Sequence, residues 1–260
     1  QKPKKRVKEF EMVARPLPFK VLDLLGGMRI ASERIDSGYP ERFRTLPNTR
    51  KFDSGRSGGG IDEAIRIIES IGGVRIKPGM YFQFDYDPTE VLDDIVCSGC
   101  IPDRKAHQYY PTPEKLARIA VDWADIGEAD QCLEPSAGQG GIADYMPKER
   151  TTCIEISPLH CTVLAAKGFS VVPADFLTWA MTAPKFDVIV LNPPFSEGRG
   201  RLHTEYAIEL LKPDGRLVSI LPASNKGKDF AGVACEWSPI YEREFSGTGV
   251  SVVMLKATKE

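Results

Sequence analysis

The chain predicts an α/β fold, with a doubly wound, mostly parallel, seven-stranded sheet in residues 106–260 behind a small N-terminal extension. Three observations carry this expectation. From residue 114 onward, short apolar runs alternate with stretches of helical period, the pattern of a parallel sheet covered on both faces. The first run, residues 131–134, opens into the small-residue turn Pro135-Ser136-Ala137-Gly138-Gln139-Gly140-Gly141. The fourth run, residues 186–191, stops at Asn192-Pro193-Pro194-Phe195.

Taken in order, residues 1–20 read as extended or disordered, and the Ser/Gly stretch 54–60 as a flexible loop with no lysine placed to make it a nucleotide site. Apolar residues at Ile61, Ala64, Ile65, Ile68 and Ile71 recur at helical spacing, and Gly72-Gly73 ends that helix. One strand is expected around residues 80–84, its aromatics serving the core. A helix spans 114–125. Strands follow near 131–134, 152–156, 170–173, 186–191 and 215–221, with helices between them, and a last strand pair centres at 240–245 and 250–256. Residues 196–203 read as a glycine-rich basic loop that contains His203, followed by a helix to Leu211.

In such sheets ligands bind at the carboxyl ends of the strands, where the informative residues fall. The turn after Glu134 is neither a G-x-G-x-x-G fingerprint nor a phosphate loop, since no Gly-Lys-Ser/Thr follows it. Its glycines let the backbone turn tightly and let a ligand approach the next helix. Glu155, at the end of the second strand, stands where an acid can accept from ribose hydroxyls. Asp175 and Phe176 follow the third strand, an acceptor and an aromatic suited to an adenine moiety. Asn192 and Pro193 offer two carbonyl oxygens to an exocyclic amine, the prolines fix the backbone without a competing N–H, and Phe195 offers a stacking face.

These segments resemble motifs I to IV of S-adenosylmethionine-dependent adenine-N6 DNA methyltransferases: Glu134 to Gly140, Glu155, Ala174-Asp175-Phe176-Leu177 and Asn192 to Phe195. Tyr110-Pro111-Thr112-Pro113 resembles their motif X, and Phe245-Ser246-Gly247-Thr248-Gly249 their motif VIII, in the order of the gamma-class members. The resemblance covers about residues 106–260. It implies a Rossmann-like methyltransferase domain that binds S-adenosyl-L-methionine through Tyr110, Pro111, Thr112, Pro113, Glu134, Pro135, Ala137, Gly138, Gly140, Glu155, Ile156, Asp175, Phe176 and Asn192. It implies catalysis by Asn192, Pro193, Pro194 and Phe195 on a flipped adenine, with Phe195 and Phe245 on the substrate; Arg199 and Arg201, in the basic segment after motif IV, are expected to join the N-terminal region in reading a short site. No metal is implied. RNA adenine methyltransferases and protein-glutamine methyltransferases share the tetrapeptide, the latter usually with Tyr in place of Phe195. A non-catalytic nucleic-acid-binding subunit is the reading from a different class.

Gamma-class enzymes usually carry a large target-recognition domain after motif VIII, whereas this chain reaches only Glu260. Target recognition is therefore expected from residues 1–105, from the 196–203 segment, or from a protein partner or second copy of the chain, with short or relaxed sequence specificity. The formal net charge of −2 conceals a division: residues 1–60 hold 14 Lys/Arg against 7 Asp/Glu. Lys2 to Lys8 is the densest run, and Arg42, Arg44, Arg50, Lys51 and Arg56 follow, a set that attracts phosphate. The six cysteines show no disulfide framework, and Cys97-Ser-Gly-Cys100 supplies only two of the four ligands zinc prefers. No stretch approaches twenty uninterrupted apolar residues and no signal peptide is visible. A cytoplasmic protein that acts on DNA, with no membrane partner, is the expectation.

Overall fold

The computed structural model describes residues 14–34, 43–53, 59–76, 80–102, 111–195, 198–245 and 250–260. They belong to two compact units that divide after residue 103.

In the first unit, β1 (Ala14–Pro16) pairs antiparallel with β6 (Cys100–Pro102). A four-stranded antiparallel sheet runs in the order β2 (Arg29–Arg34), β3 (Phe43–Lys51), β5 (Tyr81–Gln83), β4 (Val74–Ile76). Three helices accompany it: α1 (Phe19–Gly26), α2 (Ile61–Ser70) and α3 (Thr89–Ser98). From Tyr81 to Asp87 every second residue is exposed and the intervening Phe82, Phe84 and Tyr86 are buried, the period-2 signature of a half-covered strand and its continuation. The α2 helix buries Ala64, Ile67 and Ile68, and Ile71 follows them into the core. The predicted Ile65 is half-exposed and Ile67 takes its place on the buried face. Gly73 is obligatory at the turn, because a Cβ there would lie 2.5 Å from Ile68 Cγ2 and 2.9 Å from Ile68 O.

Two expectations are corrected in this unit. Residues 14–16 are extended but paired, as β1, and Phe19 and Lys20 begin a helix, α1, where extended or disordered chain was expected. Arg50, expected among the phosphate-attracting residues, is buried. Its guanidinium donates to Pro47 O, to Asp87 at 2.8 Å and to Thr89 Oγ1 at 2.5 Å, so it braces the β3 end against the start of α3. The basic residues 2–8, Arg42 and Arg56 lie outside the described residues.

The second unit opens with α4 (Glu114–Ala124), which closes on Asp125 in a left-handed conformation, φ 53°. Its sheet has seven strands, ordered β12-β13-β11-β10-β7-β8-β9: β7 (Cys132–Pro135), β8 (Thr151–Glu155), β9 (Ser170–Pro173), β10 (Phe186–Leu191), β11 (Leu211–Pro222), β12 (Val233–Trp237) and β13 (Val252–Lys259). Pairings from β9 through to β11 are parallel, and β13 is antiparallel to both β11 and β12. This is the doubly wound, mostly parallel seven-stranded α/β sheet that the sequence predicts. The central strands are apolar on both faces, as strands covered by helices must be.

Two apolar layers flank the sheet. One gathers Phe176, Leu177, Tyr206, Ala207 and Leu210 with Ile189, Leu191 and Leu217, and the other gathers Leu116, Ala117 and Ala120 with Val188, Val190 and Ile220. Arg216 clasps the amino end of the sheet to α4, donating to Ala124 O at 3.0 Å and to Asp130 at 2.5 Å.

Three boundaries differ from expectation. No α-helix joins β7 to β8: two 3-10 turns, Ala143–Tyr145 and Lys148–Arg150, make the crossover, because paired glycines precede it and Pro147 interrupts it. The helix after β10, α7 (Arg199–Glu209), begins inside the segment expected to be a loop. The strand expected at 240–245 lies earlier, at β12, and only a Tyr241–Val252 bridge marks the later position. The remaining helices are α5 (Pro158–Ala166) and the short α6 (Phe176–Trp179).

Candidate active site

The carboxyl ends of β9, β8, β7 and β10 lie along one edge of the parallel sheet. Chain connections depart in opposite directions from β7 and β10, which makes their junction a topological switch point. The small-residue turn follows β7 there. Ser136, Gly138 and Gly140 all have positive φ, at 64°, 58° and 84°. At Gly140 a Cβ would meet Leu164 Cδ2 at 3.0 Å, so only glycine fits both the conformation and the space.

Two buried carboxylates hold this turn from beneath. Glu155 accepts from Gly138 N at 2.7 Å and from Ser157 N at 2.8 Å. Glu134 accepts from Ala143 N at 2.7 Å, and its full burial raises its pKa well above the usual carboxylate range. Glu134 and Glu155, both predicted as cofactor ligands, thus act on the turn's own backbone. Each Glu155 oxygen retains a second lone-pair direction. Pro135 and Ala137 are buried, Ala137 N donating to Ile154 O at 2.9 Å, and Ile156 is half-buried beside Glu155.

The motif X segment lies against the same turn. Thr112 O is 3.5 Å from where a Gly141 Cβ would stand. Thr112 Oγ1 accepts from Asn192 Nδ2 at 3.0 Å, joining the segments before α4 and after β10 across 80 residues of sequence. Pro111 and Pro113 flank Thr112, and Tyr110 lies outside the described residues.

Asn192 is the informative residue. Its Nδ2 is tied to Thr112, yet its Oδ1 is buried with no hydrogen-bond partner. Leaving a buried acceptor unpaired costs about 1–3 kcal/mol. Pro193 is buried, and Pro194 O turns toward α7, 3.5 Å from where a Gly200 Cβ would stand. Phe195 meets Phe245 edge to face, ring centroids 6.2 Å apart at 77°, which joins motif IV to motif VIII. Phe245 is itself buried and therefore buttresses Phe195; residues 246–249 of motif VIII lie outside the described residues.

The third strand end departs from expectation. Asp175 caps α6, accepting from Thr178 N at 3.0 Å. Phe176 is buried against Trp179 and His203 and presents no open face. Arg201 is committed within the chain: its guanidinium lies 4.5 Å from the Phe230 ring, bonds Glu205 at 2.8 Å and donates to Asp229 O at 3.0 Å. Arg199, half-exposed, opens α7.

His203, read from the sequence as a loop residue, is the site residue that sequence reasoning missed. It lies buried on α7, its Nδ1 3.1 Å from Ser136 Oγ in the glycine turn and its ring 5.4 Å from Phe176. Burial pulls its pKa down to about 4, so the ring is neutral at physiological pH. Its Nε2 is the second buried side-chain atom without a partner among the described residues. The available signal was helical spacing: His203, Tyr206, Ala207 and Leu210 form one apolar stripe.

Among the described residues no three His, Cys, Asp or Glu side chains gather as a metal site, and Cys97 and Cys100 are free thiols. No described helix is long and apolar enough to cross a membrane.

No family model and no curated protein matches the sequence. Solved structures do match in fold. TrmN from Thermus thermophilus is 19% identical, over 77% of this chain and 66% of that one, with a TM-score of 0.48. A dimethyladenosine transferase from Plasmodium falciparum is 14% identical over 58% and 64%, also at 0.48. Precorrin-6y C5,15-methyltransferase from Geobacter metallireducens is 16% identical over 56% and 88%, at 0.44.

Proposed function

We propose that the chain is an S-adenosyl-L-methionine-dependent methyltransferase acting on the exocyclic N6 of a flipped adenine in DNA, with short or relaxed sequence specificity. The observation that carries this reading is the buried, unpartnered Oδ1 of Asn192, an acceptor fixed in direction by the Thr112 bond. An amine hydrogen is the partner it lacks.

The residues fit the cofactor. The positive-φ turn after β7 stands at the carboxyl end of the strand, Thr112 and its flanking prolines lie beside it, and His203, held to Ser136 through Nδ1, keeps Nε2 without a partner among the described residues. When bound, S-adenosylmethionine supplies an electrophilic methyl group on a sulfonium. The chain's own residues do the positioning. Asn192 Oδ1 accepts one amine hydrogen, and Pro193 O is the second acceptor, since Pro194 O faces α7. Together they orient the nitrogen lone pair and stabilise the positive charge that develops as the N–C bond forms. Phe195 stacks on the ring. The proton leaves to water, and no strong base is required of a site whose nearest imidazole is buried. The adenine reaches this pocket only out of the stack. Target recognition falls to residues 1–105, to the 196–203 segment, or to a protein partner or second copy of the chain.

The test is methyl transfer from labelled S-adenosylmethionine to duplex DNA, single-stranded DNA and RNA, with nucleosides identified by mass spectrometry. N6-methyladenine in DNA is expected; methylated RNA alone, or bound cofactor without transfer to any nucleic acid, rejects the DNA reading. Asn192→Ala should reduce turnover at least 100-fold while calorimetry finds cofactor affinity within about fivefold, the signature of a lost transition-state contact.

A further inference from the structure

We infer that Thr112 positions Asn192 for the reaction: its hydroxyl holds the amide nitrogen, so that the amide oxygen is the atom presented to the base. This rests on the methyl-transfer reading above and names a positioning residue for that same site.

An asparagine amide has two ends of nearly equal shape and opposite chemistry. Its last torsion is broad and roughly two-fold, so a reversed Asn192 would offer N–H donors where Oδ1 now stands. Donors facing the hydrogens of an exocyclic amine would repel them and leave the nitrogen lone pair without orientation. Some group must therefore hold Nδ2 on the side away from the base. Among the described residues Nδ2 donates to Thr112 Oγ1 at 3.0 Å, while Oδ1 has no partner.

Thr112 has little freedom of its own. Pro111 and Pro113 flank it, and a residue before proline is biased toward extended backbone. Pro113, at φ −58° and ψ 138°, stands at the start of α4, and its carbonyl accepts from Ala117 N at 3.0 Å. Leu116, Ala117 and Ala120 bury that helix in the core. The threonine side chain, branched at Cβ, is stiff about its first torsion. The same residue packs against the glycine turn: the place of a Gly141 Cβ is 3.5 Å from Thr112 O, 3.6 Å from its N and 3.7 Å from its Cβ. One half-buried residue thus touches both the turn and Asn192, and its hydroxyl is an acceptor fixed in place.

The motif X resemblance implies a cofactor contact for Thr112. The bond to Asn192 gives its hydroxyl a separate task, at the methyl acceptor, and the two tasks leave different signatures. A hydroxyl that serves the cofactor sets cofactor affinity. One that serves Asn192 sets turnover, and it does so only while Asn192 is present.

Thr112→Val keeps the shape against Gly141 and removes the acceptor, whereas Thr112→Ser keeps the acceptor. With duplex DNA as methyl acceptor, Thr112→Val should lower kcat at least about tenfold while calorimetry finds cofactor affinity within about threefold, and Thr112→Ser should restore kcat to within about threefold. Added to Asn192→Ala, Thr112→Val should lower the residual rate by less than about twofold. Thr112→Ala replaces Thr112→Val if circular dichroism finds the valine variant misfolded. Cofactor affinity that falls as far as kcat, or a full further loss in the double variant, would overturn the inference. A second measurement needs no turnover. The sequence holds three asparagines, Asn48, Asn192 and Asn225, so nitrogen-15 labelling of asparagine gives three side-chain amides by NMR. The signal lost in Asn192→Ala should exchange slowly with water in wild type and Thr112→Ser, and at least about tenfold faster in Thr112→Val. Free exchange in the wild type, or exchange indifferent to residue 112, would equally overturn it. Slow, Thr112-dependent exchange in a protein that methylates no nucleic acid sinks the enzymatic reading alone, and transfer by Thr112→Val at the wild-type rate sinks this one alone.

Discussion

His203 shows how one side chain can be structural and poised for a ligand at once. Its Nδ1 is held by Ser136, its ring packs on Phe176, and its Nε2 faces no partner. The depressed pKa, about 4, has a direct consequence for stability. Above the unfolded value of 6.5 the ring is neutral in both states and costs nothing. As pH falls from 6.5 toward 4 the unfolded chain takes up a proton that the folded one refuses, and stability drops by up to about 3 kcal/mol. Urea unfolding of the wild type and His203→Phe at pH 7, 5.5 and 4.5 should therefore diverge, the variant gaining relative to wild type as pH falls. A gap independent of pH would mean that the ring is not held neutral. Asn192 and His203 together illustrate what a sequence leaves hidden at this scale. The identity of Asn192 signalled its chemistry, but only coordinates show that its amide nitrogen is occupied and its oxygen is not.

At the scale of elements, the segment after β10 is the instructive case. Gly198 and Gly200 made residues 196–203 look like a loop, yet the second glycine is helical and serves contact. A Cβ at Gly200 would stand 3.4 Å from Leu221 Cδ2 and 3.5 Å from Pro194 O, ordinary contact distances with nothing to spare. Thr204 then ties α7 to β11 through a buried bond to Ser219 at 2.9 Å. The Asn-Pro-Pro-Phe turn is thus seated on α7 rather than free. Gly200→Ala should leave turnover within about twofold, because one methyl fits. Gly200→Leu should displace Pro193 and Pro194 and lower turnover roughly 10–100-fold with cofactor affinity retained, since displacements near 1 Å cost about that much. Steady-state kinetics beside cofactor titration would check both, and equal turnover of the two variants would count against this seating. The missing helix between β7 and β8 follows the same logic in reverse: a helical crossover was expected on topological grounds, but Gly140, Gly141 and Pro147 leave room only for 3-10 turns.

For the whole molecule, two units with separate cores mean that damage should stay local. Gly73→Ala places a Cβ 2.9 Å from the backbone oxygen of Ile68 in the first unit. Hydrogen exchange should show lost protection in α2 and β5, with β10 and β11 unchanged; uniform loss across both units would refute independent cores.

The mostly parallel sheet of residues 111–260 and the edge that carries the site were legible from alternating apolar runs, because burial on both faces forces that composition on parallel strands, whereas the order of the strands within the sheet came only from the structure. The identities of Asn192, Glu155 and the glycines of the turn were legible for the same kind of reason, since each answers a local demand of chemistry or backbone. What the tertiary structure alone decided is which atoms are spoken for. Phe176 and Arg201 turned inward, Arg50 became a brace, and Glu134 and Glu155 were claimed by backbone N–H groups. Partners for these groups come from residues 2 to 39 positions distant in sequence, and Asn192 finds its own 80 positions away.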